Sequence, residues 1–300
     1  MSTAAAIGRL RDAFPDRCEA QVPLADLCSW RIGGPVDLLF RPESEEELAA
    51  ALGLLAGEGA DWWLMGAGSN LLFPDEGLRG VVIRLGQGLA HCHISASMLE
   101  AGAALAAAAL ARQAAAAGLA GLEFAGGIPG TVGGLVRMNA GAFGQEVAQV
   151  LTRVRLMARD GGRRWAVADE LALGYRSAPG LGDRIVLAAE FCLKADEPKA
   201  IRARMGTMAH TRRDTQPLRE SSCGSVFKRP TGDYPGRLIE AAGLKGARVG
   251  GAVVSTIHAN FFVNEGGATA RDMLALVALV KRTVRERFGV ELEEEFRHVR

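Results

Sequence analysis

The segment GLEFAGGIPGTVGGLVRMNAGAFG, residues 121–144, carries eight glycines among apolar residues, with Pro129 inside it. Proline removes a backbone donor and breaks any helix begun before it, so the stretch puts an unusual amount of bare backbone in one place. A shorter glycine loop, GAGSNLL at 66–72, follows the strand-like run DWWLM. Gly66 and Gly68 satisfy the first half of a dinucleotide fingerprint, but Leu71 stands where the third glycine belongs and Pro74 prevents a long helix from opening there. GGIPGTVGG likewise lacks the Lys-Ser/Thr ending of a P-loop. Backbone N–H nests remain as the means of holding an anion, and two such loops can grip the ends of one large diphosphate cofactor. Each loop taken singly reads first as a tight turn between strands.

Around these loops the periodicities predict an α+β chain. MSTAAAIGRLRDAFPDRC reads as a short amphipathic helix ending before Pro15, without the apolar run of a signal peptide. VDLLF after Pro35 is a strand, Ser44 with Glu47 forms a capping box opening a helix to about Gly57, and DWWLM, LLF and VVIRL continue the alternation. Residues 101–120, AGAALAAAALARQAAAAGLA, match a membrane span in length, but weakly apolar alanine and the central Arg112 and Gln113 predict a soluble helix capped by Gly118. VLTRVRLMA, RWAVA and RIVLAAEF are strand-like, with a hairpin signal at Asp160 to Gly162. A helix starting at Glu197-Pro198 fades at TRRDTQP, where Thr215 to Pro217 marks a boundary. The last helix begins at Thr269, buries Met273, Leu276, Val277, Val280 and Val284, and stops at Gly289. VELEEEFRHVR then alternates as a strand, with Glu291, Glu293, Glu295 and Arg297 opposite Leu292 and Phe296.

Three hundred residues, 49% of them hydrophobic, can bury a full core, and a formal net charge of +1 gives no global field to gather nucleic acid or a membrane surface. The one strong asymmetry is residues 199–248, with eleven Lys or Arg against four Asp or Glu, read by default as a solvated basic face. Five scattered cysteines without a C-x-x-C pair argue against a disulfide framework or structural zinc and fit a reducing cytoplasm. His91 and His93 would share a strand face, but Cys92 points away and no further ligand cluster accompanies them, so no metal is expected.

Read in order, SWRIGG (29–34), GAGSNLL, GLEFAGGIPGTVGGLVRMNAGAFG, YRS (175–177), SCGSVFKRP (222–230) and GAVVSTIHANFFVN (251–264) closely resemble the UDP-N-acetylenolpyruvoylglucosamine reductases, flavoenzymes of peptidoglycan precursor synthesis. The match spans nearly the whole chain. It implies a two-subdomain FAD-binding module of vanillyl-alcohol-oxidase type, here residues 1–90 and 91–205, followed by an α+β domain at 206–300 for the UDP-sugar. It implies that Gly66, Ala67, Gly68, Ser69, Asn70 and Leu71, with Gly127, Ile128, Pro129, Gly130, Thr131, Gly133, Gly134, Asn139, Ala140 and Gly141, hold the FAD. Neither loop contains His, so the flavin is expected to be non-covalent.

The implied reaction is reduction of an enolpyruvyl ether by NADPH through the flavin. Negative charge conjugated into a carboxylate then needs a fixed cation, hydrogen-bond donors and a delivered proton. By position in the motifs, Arg176 matches the family's catalytic arginine, Ser225 its proton donor and Glu295 the glutamate that assists the enolate. Ser225 is a poor acid and needs a cation such as Lys228 nearby; Cys223 reads as a small buried thiol. Arg229 where some members have Asn, with the modest length, resembles the shorter class lacking an additional tyrosine-bearing segment. Candidate diphosphate partners are Arg213, Lys228 and Arg229, with Tyr175 beside the catalytic arginine, Tyr234 for stacking, and Gln216 and Asn264 for orienting the sugar or nicotinamide. An oxidase of the same flavin fold would need no Ser225 acid, and a catalytically silent binder would not respond to its loss.

Overall fold

The computed structural model describes residues 3–300. Contacts group them into two compact units: residues up to 20 with 37–67 and 79–210, and residues 21–36 with 68–78 and 211–300. Both units are discontinuous in sequence, unlike a division into three consecutive blocks at 90 and 205.

In the first unit the helix Thr3–Ala13 ends ahead of Pro15, and the helix Glu45–Glu58 is opened by the Ser44 hydroxyl, which accepts from the Glu47 N–H at 3.1 Å. The expected capping box is only half made: the Glu47 carboxylate accepts from the Glu43 N–H at 2.7 Å instead of closing back on Ser44. Gly59, at φ 64°, ends the helix in the left-handed conformation. A four-stranded sheet runs in the order Cys18–Pro23, Pro35–Phe40, Leu78–Arg84, Trp62–Met65, the last pair parallel. Leu38, Phe40, Leu48, Leu52, Val81 and Ile83 form its core.

An antiparallel five-stranded sheet follows, ordered Arg163–Val167, Leu151–Met157, Ile185–Cys192, Met98–Gly102, Cys92–Ser95. The alanine-rich stretch departs from expectation here. It enters as the second half of the strand Met98–Gly102, becomes a helix only over Ala107–Ala116, and leaves as the two-residue strand Leu119–Ala120, with Gly118 at φ 70°. The reason is tertiary: Leu99 and Ala101 are fully buried in an inner strand, and the Ala103 N–H extends the ladder to the Leu187 carbonyl at 2.8 Å, which outweighs alanine's helix propensity. No helix among the described residues is long and apolar enough to cross a membrane.

The second unit holds an antiparallel sheet ordered Ser221–Ser225, Phe261–Asn264, Ala252–Val254, Arg248–Val249, with the helices Pro235–Ala241 and Ala270–Phe288. Thr269 and Asp272 form a full capping box and Gly289, at φ 68°, closes the last helix. Trp30 is fully buried, packs edge-on against Phe296 at 5.0 Å and donates its indole N–H to the Phe262 carbonyl at 2.7 Å. The C-terminal alternation is real, since Leu292 and Phe296 are buried, but the expected long strand is not formed: only Arg297–His298 pairs, in parallel with Leu71–Leu72. Residues 293–295 instead bond to residues 226–228 across a single bridge.

Candidate active site

In the first unit the two glycine segments meet. A Cβ on Gly66 would lie 2.7 Å from the Thr131 hydroxyl, so only glycine lets this backbone approach. Thr131 is the N-cap of the short helix Val132–Arg137, accepting from the Gly134 N–H at 3.4 Å. Its loop is stapled to residues 103–107: Ala107 donates to the Gly130 carbonyl at 3.0 Å, and Val132 and Gly133 donate to Leu105 and Ala103 at 2.9 and 3.0 Å. No acidic residue stands between Asp61 and Asp75 or between Glu123 and Glu146, so neither loop opposes an anion. Small, acid-free, backbone-lined segments of this kind fit the diphosphate of a flavin dinucleotide.

The entry to the second loop rests on a carboxylate that motif reading passed over. Glu123 is buried, accepts from the Gly121 N–H at 2.7 Å and is bound by Arg204, which also bonds Asp196. Burial alone would raise its pKa, but the Arg204 guanidinium and the N–H groups of Glu123 and Gly121 outweigh that and hold it below the ordinary value.

Arg176 sits in a tight turn in which Gly174 and Ser177 exchange backbone hydrogen bonds at 3.0 and 3.1 Å. Its φ is +54°, a left-handed conformation uncommon for arginine. Its guanidinium donates to the Gly141 carbonyl at 3.1 Å and lies 5.1 Å from the centre of the half-exposed Tyr175 ring. Asn139, expected among the cofactor ligands, turns its side chain to main chain: it donates to the Gly174 carbonyl at 3.0 Å and accepts from the Ala148 N–H at 2.9 Å.

In the second unit the strand Ser221–Ser225 slips register between Ser222 and Ser225, with Gly224 at φ +83°. Beyond Ser225, Val226 donates to the Asn260 carbonyl at 2.8 Å, and the Asn260 side chain pairs both ways with the Phe227 backbone at 3.0 and 2.9 Å. Glu295 donates its N–H to the Val226 carbonyl at 2.8 Å and Lys228 donates to the Glu293 carbonyl at 2.8 Å. Asn70 holds the other edge, its amide donating to the Glu295 carbonyl at 3.0 Å. Glu295 thus pairs through its backbone with Val226, the residue that follows Ser225 at the strand end. Cys223 is buried, and burial first, then the Glu295 charge, pushes its thiol well above the usual range, which suits a packing residue.

The charged candidates are less open than their sequence implies. Lys228 is ion-paired with Glu293, and the Arg229 guanidinium lies 4.7 Å over the exposed Tyr234 ring. Arg204, Arg237, Lys245 and Arg248 each have a carboxylate partner, which offsets much of the basic excess. Arg213 lies exposed on the helix Pro198–Thr215, and Gln216 keeps a buried side-chain oxygen without a hydrogen-bond partner. Asn264, expected to orient the sugar or nicotinamide, bonds main chain at the sheet end: its amide donates to the Trp30 carbonyl at 2.9 Å and its oxygen accepts from Gly266 and Ala268. The His91 and His93 rings stack at 5.2 Å with Glu100 3.5 Å from His91.

Residues 36–166 match the model of an FAD binding domain, and residues 216–299 that of the UDP-N-acetylenolpyruvoylglucosamine reductase C-terminal domain. The UDP-N-acetylenolpyruvoylglucosamine reductase of Rubrobacter xylanophilus is 47% identical over 297 residues, covering 97% of this chain and 98% of that protein. The crystal structure of the UDP-N-acetylenolpyruvylglucosamine reductase from Thermus caldophilus superimposes with a TM-score of 0.81 at 38% identity, covering 95% of this chain and 99% of that one. A variant of Phl p 4 described as a glucose oxidase gives a TM-score of 0.51 at 15% identity over 65% of this chain and 44% of that one, a likeness of fold alone. The architecture is therefore a vanillyl-alcohol-oxidase-type FAD-binding module followed by a C-terminal α+β domain. With its flavin-binding module, its C-terminal domain and near full-length identity all agreeing, the chain belongs to the UDP-N-acetylenolpyruvoylglucosamine reductase family of oxidoreductases.

Proposed function

We propose that this protein reduces UDP-N-acetylglucosamine enolpyruvate to UDP-N-acetylmuramate in the cytoplasm, using NADPH and a non-covalently held FAD. The observation that carries the reading is the 2.8 Å hydrogen bond from the Glu295 N–H to Val226, which sets an acid beside the strand end bearing Ser225. Residues of the two glycine loops would hold the FAD, which when bound would supply hydride transfer from NADPH to the terminal methylene of the enolpyruvyl group. Negative charge then develops on the ether-bearing carbon and its carboxylate. Arg176 meets that carboxylate with planar, permanently charged donors. Glu295, by its position in the motif, assists stabilisation of the forming enolate. Ser225 gives its hydroxyl proton to the ether-bearing carbon and recovers it from solvent. Arg213, Lys228 and Arg229 hold the diphosphate, with Tyr234 stacking, Tyr175 packing beside Arg176 and Gln216 orienting the sugar; Lys228 exchanges Glu293 for the phosphate.

Anaerobic stopped-flow absorbance tests this. NADPH should bleach the flavin band, and the enolpyruvyl UDP-sugar should restore it. A protein that stays colourless after incubation with FAD refutes the proposal. Rapid return of colour in air without the UDP-sugar favours a sugar oxidase on the same fold.

A further inference from the structure

We propose that Asn139 is a positioning residue for Arg176: by holding the Gly174 carbonyl it fixes the turn that aims the guanidinium, and it affects the reaction only through that arginine. The inference rests on the reading of Arg176 as the group that meets the substrate carboxylate.

Asn139 has no solvent-exposed surface, and both ends of its amide are engaged by main chain, at Gly174 and Ala148. It therefore does not reach a ligand directly. Its own φ is +37°, a conformation that Asn tolerates better than most residues. Gly174 is the base of the turn, Arg176 its tip at φ +54°, and the Arg176 guanidinium returns to the Gly141 carbonyl two residues after Asn139. Residues 139–141 thus grip the turn at both ends. An arginine held in the left-handed region persists only where its surroundings over-determine it, and the buried amide is the fixed point that does so. Small displacements of a catalytic group are costly in rate, so a lost anchor at Gly174 should be felt at the guanidinium.

Asn139→Asp keeps the size of the side chain and the acceptor for Ala148, but turns an oxygen toward the Gly174 carbonyl. The proposal expects flavin content, visible spectrum and bleaching by NADPH to stay within about threefold of the parent, while recolouring by the enolpyruvyl UDP-sugar slows ~10- to 100-fold. Titration of the oxidised enzyme with UDP-N-acetylmuramate, read from the flavin spectrum without turnover, should show affinity weakened by about tenfold. Arg176→Ala alone should slow recolouring by at least ~100-fold, and adding Asn139→Asp to it should change that by no more than about threefold. Additive slowing in the double variant, equal slowing of both half-reactions, or loss of flavin from Asn139→Asp would each overturn the proposal. Unchanged recolouring in Arg176→Ala would instead refute the role of the arginine itself.

Discussion

Arg204 donates two hydrogen bonds to one oxygen of Glu123, at 2.7 and 3.0 Å, while the other oxygen accepts from the Gly121 N–H at 2.7 Å. A carboxylate buried at the mouth of a glycine-rich loop is tolerable only because its charge is answered on both sides. Its folded pKa lies below the ordinary 4.5, so the stability it contributes is present above that value and is lost as pH falls through the depressed folded value. Arg204→Ala should therefore destabilise the protein near neutrality, and the gap to the parent should close in acid. Urea unfolding at about pH 7, repeated at pH values stepped down below the ordinary carboxylate range, measures both.

Gly66→Ala should clash with the Thr131 hydroxyl and lower the flavin retained through purification. The double variant with Thr131→Ala should recover part of it, at the cost of the cap, about 1 kcal/mol. Equal flavin-to-protein absorbance in Gly66→Ala and the parent would show that the close approach of the two segments has no bearing on the cofactor.

Ser225→Ala should leave bleaching by NADPH intact and slow recolouring by the UDP-sugar ~10²- to 10⁴-fold. Cys223→Ala, two residues away, should leave both half-reactions within about threefold and cost roughly 1 kcal/mol in stability. Because its thiol is buried and held protonated, iodoacetamide should not inactivate the native enzyme through this residue. Peptide mapping of alkylated protein before and after unfolding checks that expectation.

Asn260→Ala removes a buried amide that pairs both ways with Phe227, immediately beyond the Ser225 strand end. Leaving the Phe227 N–H and carbonyl unanswered should cost about 2–4 kcal/mol, visible as a lowered urea midpoint. The proton-delivery step should slow with it, while NADPH bleaching should not.

Periodic elements with capping residues are legible from the local sequence pattern: Thr269 and Gly289 bound the last helix, and Asp160 to Gly162 turns a hairpin. The stretch 101–120 was not, because alanine's local preference is weaker than the pull of an inner strand position. Within the site, bare backbone could be read from glycine, but its partners could not, since Gly66 meets Thr131 and Glu123 meets Arg204 only after folding. Asn139 and Asn264 mark a further boundary of motif reading. Residue type and motif position say that an amide matters, yet not whether it faces a ligand or the protein's own main chain.

Trp30 and Phe262 are joined across 232 residues, and residues 21–36 pack with the C-terminal unit. On the ribosome, a tryptophan whose hydrogen-bond partner lies 232 residues further on must wait until that partner has been made. Closing so long a loop is slow, and the waiting apolar segment is the place where a holdase chaperone has the longest opportunity to bind.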